Sequence, residues 1–174
     1  MRVLVPYTRL HPETARRLAR FAPDAVLRAI EIDDRTGYWR VLAEAWAWPG
    51  DLVVIEHDIG IDADVLPGFA ACPEPVCARP YRWTSGDRLI TGFGCVRFRA
   101  EVKQAHPELF TEVGELDWLL VEPRVGGELQ RRVGRPHVHR PAVEHYGVKS
   151  DEQARRTRAE YHAAAAEHEP ATGE

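Results

Sequence analysis

Short runs of apolar, mostly β-branched residues alternate with amphipathic segments over the first third of the chain. Three runs have the composition of buried strands, at residues 2–6, 26–32 and 52–55. A helix is predicted from Pro12, with Leu18 and Phe21 on one face, and a second over residues 38–48, where large apolar side chains recur at helical spacing. The order strand, helix, strand, helix, strand predicts an α/β fold with a mostly parallel central sheet flanked by helices.

The rest of the chain has weaker periodicity and more Pro and Gly. The predicted elements are a short helix over 64–69, a strand over 88–91, a strand then a helix within 96–105, a helix over 115–130 broken at Pro123 or at Gly126-Gly127, and an extended segment over 136–146. The composition of residues 72–87 predicts a long irregular connection, which we expect to close over a functional site. We expect one domain over 1–149 and a polar, partly helical or disordered tail over 150–174.

Composition narrows the class of protein. The chain has 174 residues and a formal net charge of -4, which argues against a nucleic-acid-binding protein. There is no apolar run of membrane-spanning length and no secretory leader, so a cytoplasmic protein without a membrane span is expected. Three cysteines exclude a disulfide scaffold. Cys72 and Cys77 are close enough in sequence to pair or to share a metal, but free thiols are expected.

The first candidate for chemistry follows the clearest strand. Glu56 and Asp58 come directly after residues 52–55, with one residue between them, so both carboxylates point to the same side. In parallel α/β sheets, ligands bind beyond the carboxyl ends of the strands. Two adjacent carboxylates favour a bound cation, and oxygen ligands suit Mg²⁺ or Mn²⁺. The alternative interpretation is a solvated turn with an aspartate helix cap.

Three histidines lie close together near the end of the predicted domain. His137, His139 and His145 share one face if the segment is extended, and imidazole is a common metal ligand. They are candidates for joining the acidic residues at a metal, or for forming a histidine metal site of their own. The alternative is a set of surface histidines on an edge strand.

Three further places carry candidate chemistry, each with a structural alternative. Glu115 and Asp117 begin a predicted helix, where a carboxylate is either a general base or a helix cap. Asp33 and Asp34 end the second strand, where they either bind a nucleotide or form a turn. In the long connection, Arg79 and Arg82 flank Tyr81 next to Trp83, and such a group either stacks on a base or sugar or packs the loop.

Taken in order, these segments resemble the GT-A-fold glycosyltransferases, and most closely those of family 2. The resemblance spans about residues 2–147 and rests on six short motifs. They are residues 3–6 (opening strand), 32–34 (nucleotide-contacting acids), 52–58 (the strand leading to a DxD-like motif), 91–97 (acceptor-side strand), 115–117 (acidic base motif) and 140–145 (late strand with a histidine).

The resemblance implies a nucleotide-diphosphate sugar as donor, an unidentified acceptor hydroxyl, and a divalent cation, Mn²⁺ or Mg²⁺, that bridges the diphosphate. Asp58, His145 and Glu56 are the implied metal ligands, and Asp117, supported by Glu115, is the implied catalytic base.

The implied nucleotide contacts are Asp33, Asp34 and Glu56, and we add Arg79 and Arg82 as candidates. Two other functions stay open at this point. One is a GT-A-like protein that binds a nucleotide or sugar without transferring it, and the other is a metal-dependent hydrolase that uses the three histidines.

Overall fold

The computed structural model describes residues 1–83 and 89–147, and the single positions 156, 159, 160 and 163. The end of the predicted closing loop and most of the predicted tail lie outside these residues. The strands are β1 (Arg2–Tyr7), β2 (Val26–Ala29), β3 (Leu52–Ile55), β4 (Ile59–Gly60), β5 (Val76–Ala78), β6 (Tyr81–Arg82), β7 (Leu89–Ile90), β8 (Cys95–Phe98), β9 (His137–Val138) and β10 (Glu144–His145). The helices are α1 (Pro12–Phe21), α2 (Gly37–Trp46), α3 (Val65–Ala71), α4 (Ala100–Ala105), α5 (Leu109–Val113) and α6 (Trp118–Val133).

A six-stranded sheet forms the centre of the molecule, in the order β2-β1-β3-β8-β5-β9. The pairs β1–β2, β1–β3 and β5–β9 are parallel, whereas β8 runs antiparallel to both β3 and β5. Five of the six strands therefore point the same way, and the prediction of a mostly parallel α/β sheet is confirmed. Two small antiparallel pairs, β10–β4 and β6–β7, lie beyond this sheet.

The alternation of side chains along the strands produces two apolar layers. On one face, Leu4 and Val54 pack with residues of α2, α4, α5 and α6. On the other face, Val5, Val53 and Ile55 pack with residues of α1 and α3. Because both faces are covered, β3 is buried along its whole length, which explains its uninterrupted apolar sequence.

Two details of the predicted elements are wrong. Residues 72–87 are not wholly irregular, because they contain β5, a buried strand of the central sheet, and β6. Helix α6 is not broken at Pro123 or at the glycine pair. Pro123 lies on its exposed side, whereas Leu120, Val121, Val125 and Leu129 are buried. This packing outweighs the ~3 kcal/mol that an internal proline costs. Among the described residues, the helices are all too short or too polar to cross a bilayer.

Arg97 on β8 is the largest fully buried side chain of the described residues and is 1% exposed. Its guanidinium donates to the carbonyls of Cys72 at 3.3 Å and Glu74 at 2.5 Å, and to Cys77 Sγ at 3.3 Å. It also pairs with Asp51 Oδ2 at 3.3 Å, at the start of β3. Arg97 thus ties the connection between α3 and β5 to the centre of the sheet.

Replacing Arg97 with Met is expected to lower the free energy of unfolding by about 3 kcal/mol or more. The substitution removes the buried charge that the carbonyls of Cys72 and Glu74 and the partly exposed Asp51 carboxylate share as a donor. Urea denaturation measures the change. Arg99→Met is the matched control, because Arg99 is partly exposed and bonds the Pro73 carbonyl. We expect that variant to lose under ~1 kcal/mol, and equal losses in both variants would contradict the role given to Arg97.

Candidate functional site

The acidic motif lies where the sequence places it, directly beyond the carboxyl end of β3. The Glu56 backbone N–H continues the pairing with the β8 side by donating to the Gly94 carbonyl at 2.9 Å. Its side chain accepts a hydrogen bond from the Tyr38 hydroxyl at 2.9 Å. Tyr38 is in the first turn of α2, so this bond joins the end of β3 to the start of a helix that packs on the sheet.

Glu56 is an unusually weak acid for a glutamate. Burial raises its pKa from an ordinary 4.5 to about 7, and the nearby Glu122 carboxylate acts in the same direction, while the Tyr38 hydrogen bond opposes them. Burial also raises the pKa of Glu122, whose carboxylate accepts from the Phe93 N–H at 3.2 Å. Two mutually repelling carboxyl groups with raised pKa values are typical of functional sites.

Asp58 is paired with His145. His145 Nε2 lies 3.1 Å from Asp58 Oδ2, and His145 Nδ1 lies 2.5 Å from the Arg82 carbonyl oxygen. The carbonyl and the ionised carboxylate both only accept, so both ring nitrogens donate and the hydrogen-bonded imidazole is in its charged form. Although burial lowers the pKa of His145, the contacts with Asp58 and the Arg82 carbonyl raise it overall. Burial opposes the ionisation of Asp58, but His145 and His57 lower its pKa.

The backbone after β10 closes over this pair. The N–H of Tyr146 donates to the Asp58 carbonyl at 2.8 Å, and β10 pairs with β4 just beyond the acidic motif. A Cβ atom at Gly147 would lie 2.0 Å from Asp58 Oδ2 and 3.2 Å from His145 Nε2. Only glycine leaves room for the carboxylate at this position.

Four of the other predicted residues surround the start of α6 and the turn before α2. Asp117 is the N-cap of α6: it accepts from Leu119 N–H at 3.0 Å and pairs with Arg35 Nε at 2.5 Å. Glu115 is exposed and lies 3.6 Å from Arg40, which also pairs with Asp34. Asp33 is exposed in the same turn. The cap that the sequence left as an alternative for Asp117 is therefore formed, and a catalytic or nucleotide-binding role for these residues stays a prediction.

The two predicted arginines lie in different surroundings. Arg79 is buried and donates to the carbonyls of Asp64 and Pro141, both at 3.1 Å, so its guanidinium joins α3 to the segment before β10. Arg82 is exposed, and its carbonyl holds His145. Nucleotide binding by either side chain stays a prediction.

The structure divides the histidines that the sequence grouped together. His145 pairs with Asp58, whereas His137 and His139 lie beside each other, with ring centroids 4.8 Å apart, and beside Cys72. Pro141, placed between the two groups, interrupts the strand register that would have put all three on one face.

A cavity of about 170 Å³ lies between α6 and the sheet, next to Glu122. Its walls include Thr91, Gly92, Phe93, Gly126 and Gln130. Glu122 and Tyr38 were not among the residues predicted from the sequence. Tyr81, which the sequence placed in the basic and aromatic group, is buried, and its ring packs edge-on against His145 at 5.2 Å. The one available signal was Glu122 itself, a charged residue next to the buried Val121 in the predicted helix.

No protein-family model and no curated protein matches this chain. Among solved structures, a glycosyltransferase involved in the glycosylation of the major capsid of PBCV-1 aligns over 90% of this chain and 98% of its own, with 11% sequence identity and a TM-score of 0.54. A Bacillus anthracis structure described as a glucose-1-phosphate thymidylyltransferase, in complex with sucrose, aligns over 100% and 98%, with 10% identity and a TM-score of 0.48.

The first of these likenesses establishes the fold: this chain folds as a GT-A-like glycosyltransferase does. At 11% identity it does not single out family 2, so membership of that family stays a prediction.

Replacing Glu56 with Gln is expected to flatten the pH dependence of stability in metal-free buffer. Between the ordinary pKa of 4.5 and the folded-state pKa of about 7, the folded protein keeps a proton that the unfolded chain has lost. The free energy of unfolding therefore falls as pH rises through this range, by up to ~3 kcal/mol. Gln never ionises, so the variant should be more stable than the wild type at pH 8 and similar at pH 4.

Urea denaturation at each pH, with EDTA present, measures this difference. Glu31→Gln, at an exposed glutamate, is the control and should follow the wild-type curve. If Glu56→Gln also follows the wild-type curve, Glu56 has an ordinary pKa, and the raised pKa attributed to its burial is wrong.

Gly147→Ala is expected to separate Asp58 from His145, because the new Cβ overlaps the carboxylate oxygen. His145 then loses the partner that favours its charged form, and its pKa should fall. Histidine titration by NMR measures the pKa. Gly127→Ala is the control, since a Cβ there meets nothing within 4 Å. An unchanged His145 pKa in Gly147→Ala would contradict this prediction, because it would mean that the backbone at residue 147 moves and the Asp58–His145 pair stays together.

Proposed function

We propose that this protein is a glycosyltransferase that moves a sugar from a nucleoside-diphosphate sugar to an acceptor hydroxyl and requires a divalent cation. The observation that carries the proposal is the Asp58–His145 pair, set beyond the central strand of a sheet with a glycosyltransferase's fold. The carboxyl ends of parallel strands are where such folds bind ligands.

The Asp58–His145 pair fits Mn²⁺ or Mg²⁺ bound together with a diphosphate. Their facing atoms are 3.1 Å apart, and two neighbouring ligands of an octahedral metal, each ~2.1 Å away, are about 3.0 Å apart. The Arg82 carbonyl fixes the Nδ1 proton and so leaves Nε2 for the metal, as partners of metal-binding histidines commonly do. Phosphate oxygens and water would complete the shell, since such cations are usually held by one or two carboxylates and substrate phosphates.

Glu56 has a different proposed role from that of Asp58. Its carboxyl is bonded to Tyr38 and faces Glu122, and it is not part of a three-ligand cluster with Asp58 and His145 among the described residues. We therefore assign Glu56 to positioning, through Tyr38 or through a hydroxyl of the donor. Asp33, Asp34 and Arg82 are the proposed contacts to the nucleoside. The two aspartates lie in the turn after β2, and Arg82 is an exposed residue of β6 whose carbonyl contacts His145.

The cavity beside Glu122 is the proposed entrance for the acceptor. A general base needs a carboxylate within reach of the hydroxyl and gains from a raised pKa. Glu122 has both features, because it lines the cavity and its pKa is raised. Asp117, the base that the resemblance implies, is held by Arg35 and by the N-terminus of α6. We therefore propose Glu122 as the base and keep Asp117 as the competing candidate.

The chemistry needs charge stabilisation on the leaving group and a proton acceptor on the nucleophile. When bound, the cation acts as a Lewis acid that stabilises the charge developing on the nucleoside diphosphate. Asp58 and His145 hold the site in place, and Tyr81 and the backbone at Gly147 enclose it. Glu122 takes the proton of the acceptor hydroxyl, a contribution that is typically ~10²–10⁴-fold in rate.

A nucleoside diphosphate and Mn²⁺ together are expected to stabilise the protein against heat. At a ligand concentration of 100 Kd the gain is about 2.7 kcal/mol, or roughly 5–10 °C in a domain of this size. Thermal shift with UDP, GDP, CDP, ADP and TDP, each with and without Mn²⁺, identifies the base. Asp58→Asn should abolish the metal-dependent shift, whereas Asp24→Asn, in an exposed turn, should preserve it.

A second measurement separates a transferase from a protein that only binds. With the corresponding nucleotide sugar, release of the nucleoside diphosphate is followed in Glu122→Gln and in Asp117→Asn. We expect Glu122→Gln to lose at least ~10²-fold in rate while keeping the thermal shift. Loss in Asp117→Asn alone would return the base role to that residue. If the wild-type protein binds the nucleotide but transfers sugar to no acceptor, the alternative of a GT-A-like protein that only binds is supported. If no nucleotide gives a metal-dependent shift, the proposal is wrong.

A further inference from the structure

A second group of metal-ligating side chains lies apart from the Asp58–His145 pair. It consists of Cys72, His137 and His139. Cys72 follows the last turn of α3, His137 is in the edge strand β9, and His139 comes just after it. No role in the proposed sugar transfer uses any of the three.

The sheet brings these residues together. Strand β9 runs parallel to β5, with His137 opposite Cys77 and Val138 opposite Ala78, and the His139 N–H donates to the Ala78 carbonyl at 2.9 Å. Because side chains alternate along a strand, His137 and His139 lie on the same face as Cys77, which is the face that α3 covers. Arg97 on β8 donates to the Cys72 carbonyl, and this bond fixes the end of α3 against the sheet that carries the two imidazoles.

The ligand atoms converge. Cys72 Sγ and one ring nitrogen of each histidine all lie within 4.8 Å of one another, and this is the one such three-residue group found among the described residues. Ligands of a tetrahedral zinc ion, at ~2.3 Å for sulfur and ~2.0–2.1 Å for nitrogen, are about 3.3–3.6 Å apart. The separations exceed those of bound zinc ligands by up to about 1.2–1.5 Å, a distance that rotation about the side-chain bonds covers. The two imidazoles meet at 83°, so they approach from different planes instead of stacking.

One atom of the group is left unsatisfied without a ligand. His139 Nε2 is buried and has no hydrogen-bond partner in the part of the chain that the structure describes. The Phe69 ring packs edge-on against this imidazole at 5.7 Å, so the residue is held in place on an apolar side. A buried polar nitrogen without a partner is destabilising, and a bound cation would supply that partner.

The donor set selects the kind of metal. One thiolate and two neutral imidazoles suit a borderline-soft cation such as Zn²⁺, whereas Mg²⁺ and Mn²⁺ prefer oxygen. The guanidinium groups of Arg79 and Arg97 lie nearby and disfavour further positive charge. Arg97 is paired with Asp51, and the thiolate offsets part of the charge of the cation. Three protein ligands leave a fourth tetrahedral position, and His137 is exposed, so water can reach it.

We propose that Cys72, His137 and His139 bind one Zn²⁺ ion, with water as the fourth ligand, and that the ion fastens the end of α3 to the edge strand β9. The site is independent of the cation at Asp58 and His145. Strand β9 has two residues and a single neighbour, β5, so it has few other attachments.

Cobalt substitution tests the site in the full chain. After removal of metals with EDTA and dialysis, Co²⁺ is titrated and the absorption spectrum recorded. We expect one equivalent to bind, with tetrahedral d–d bands in the visible and a thiolate-to-cobalt charge-transfer band in the near ultraviolet, and Zn²⁺ to displace it. Zn²⁺ should also raise the melting temperature of the wild-type protein.

The variants separate this site from the other one. Cys72→Ser should abolish the charge-transfer band, and His137→Ala, at an exposed position where folding is not at risk, should weaken Co²⁺ binding at least about tenfold. Cys95→Ala and His106→Ala are matched controls at a buried cysteine and a histidine outside the group, and they should bind normally. Binding without the charge-transfer band, or unchanged affinity in His137→Ala, overturns the proposal. Loss of Co²⁺ binding in Asp58→Asn would also overturn it, by assigning the metal to the other site.

Discussion

The insertion of antiparallel β8 between β3 and β5 is the constraint on which the rest of the structure depends. Within the described residues, strand β8 joins the β2-β1-β3 half of the six-stranded sheet to the β5-β9 half. Gly94, the residue before β8, accepts a hydrogen bond from the Glu56 N–H through its carbonyl. Within β8, Arg97 fixes the connection from α3 to β5. Each candidate site is therefore hydrogen-bonded to β8 or to the residue before it, although the strand has four residues.

The two sites illustrate how burial and donor type divide the chemistry of one fold. At the acidic site, oxygen donors and one imidazole surround a place where desolvation raises the pKa of Glu56 and of Glu122 and where Asp58 keeps its charge beside His145. Hard cations with phosphate oxygens suit such a place. At the second site, a buried thiol and two imidazoles favour a softer ion. The different metal preferences of the two proposed sites allow each to be tested without the other.

The proposed base shows where a resemblance and a structure diverge. The sequence motif at 115–117 led to Asp117, whose carboxylate has a complete structural role as the N-cap of α6 and as the partner of Arg35. Glu122 is little more than one helical turn further along, on the side of α6 that meets the sheet. Its depth in the packed layer raises its pKa and places it on the cavity wall. Spacing in the sequence could not distinguish these environments, because both depend on tertiary contacts: Asp117 contacts Arg35, and Glu122 contacts residues 92–93.

The sequence by itself determined the fold class, the first five elements and the position of the acidic motif at the end of β3, and it singled out His145 as a candidate partner of that motif. These follow from local patterns: uninterrupted apolar strands, helical spacing, and polar residues just beyond a buried strand. Only the tertiary structure decided that β5 lies inside the predicted irregular connection, that α6 continues past Pro123, and that His137 and His139 join Cys72 instead of His145. Each of these depends on contacts between residues far apart in the chain. The free energy of such packing and of β-strand pairing outweighs local propensity, and no single segment contains the information that specifies it.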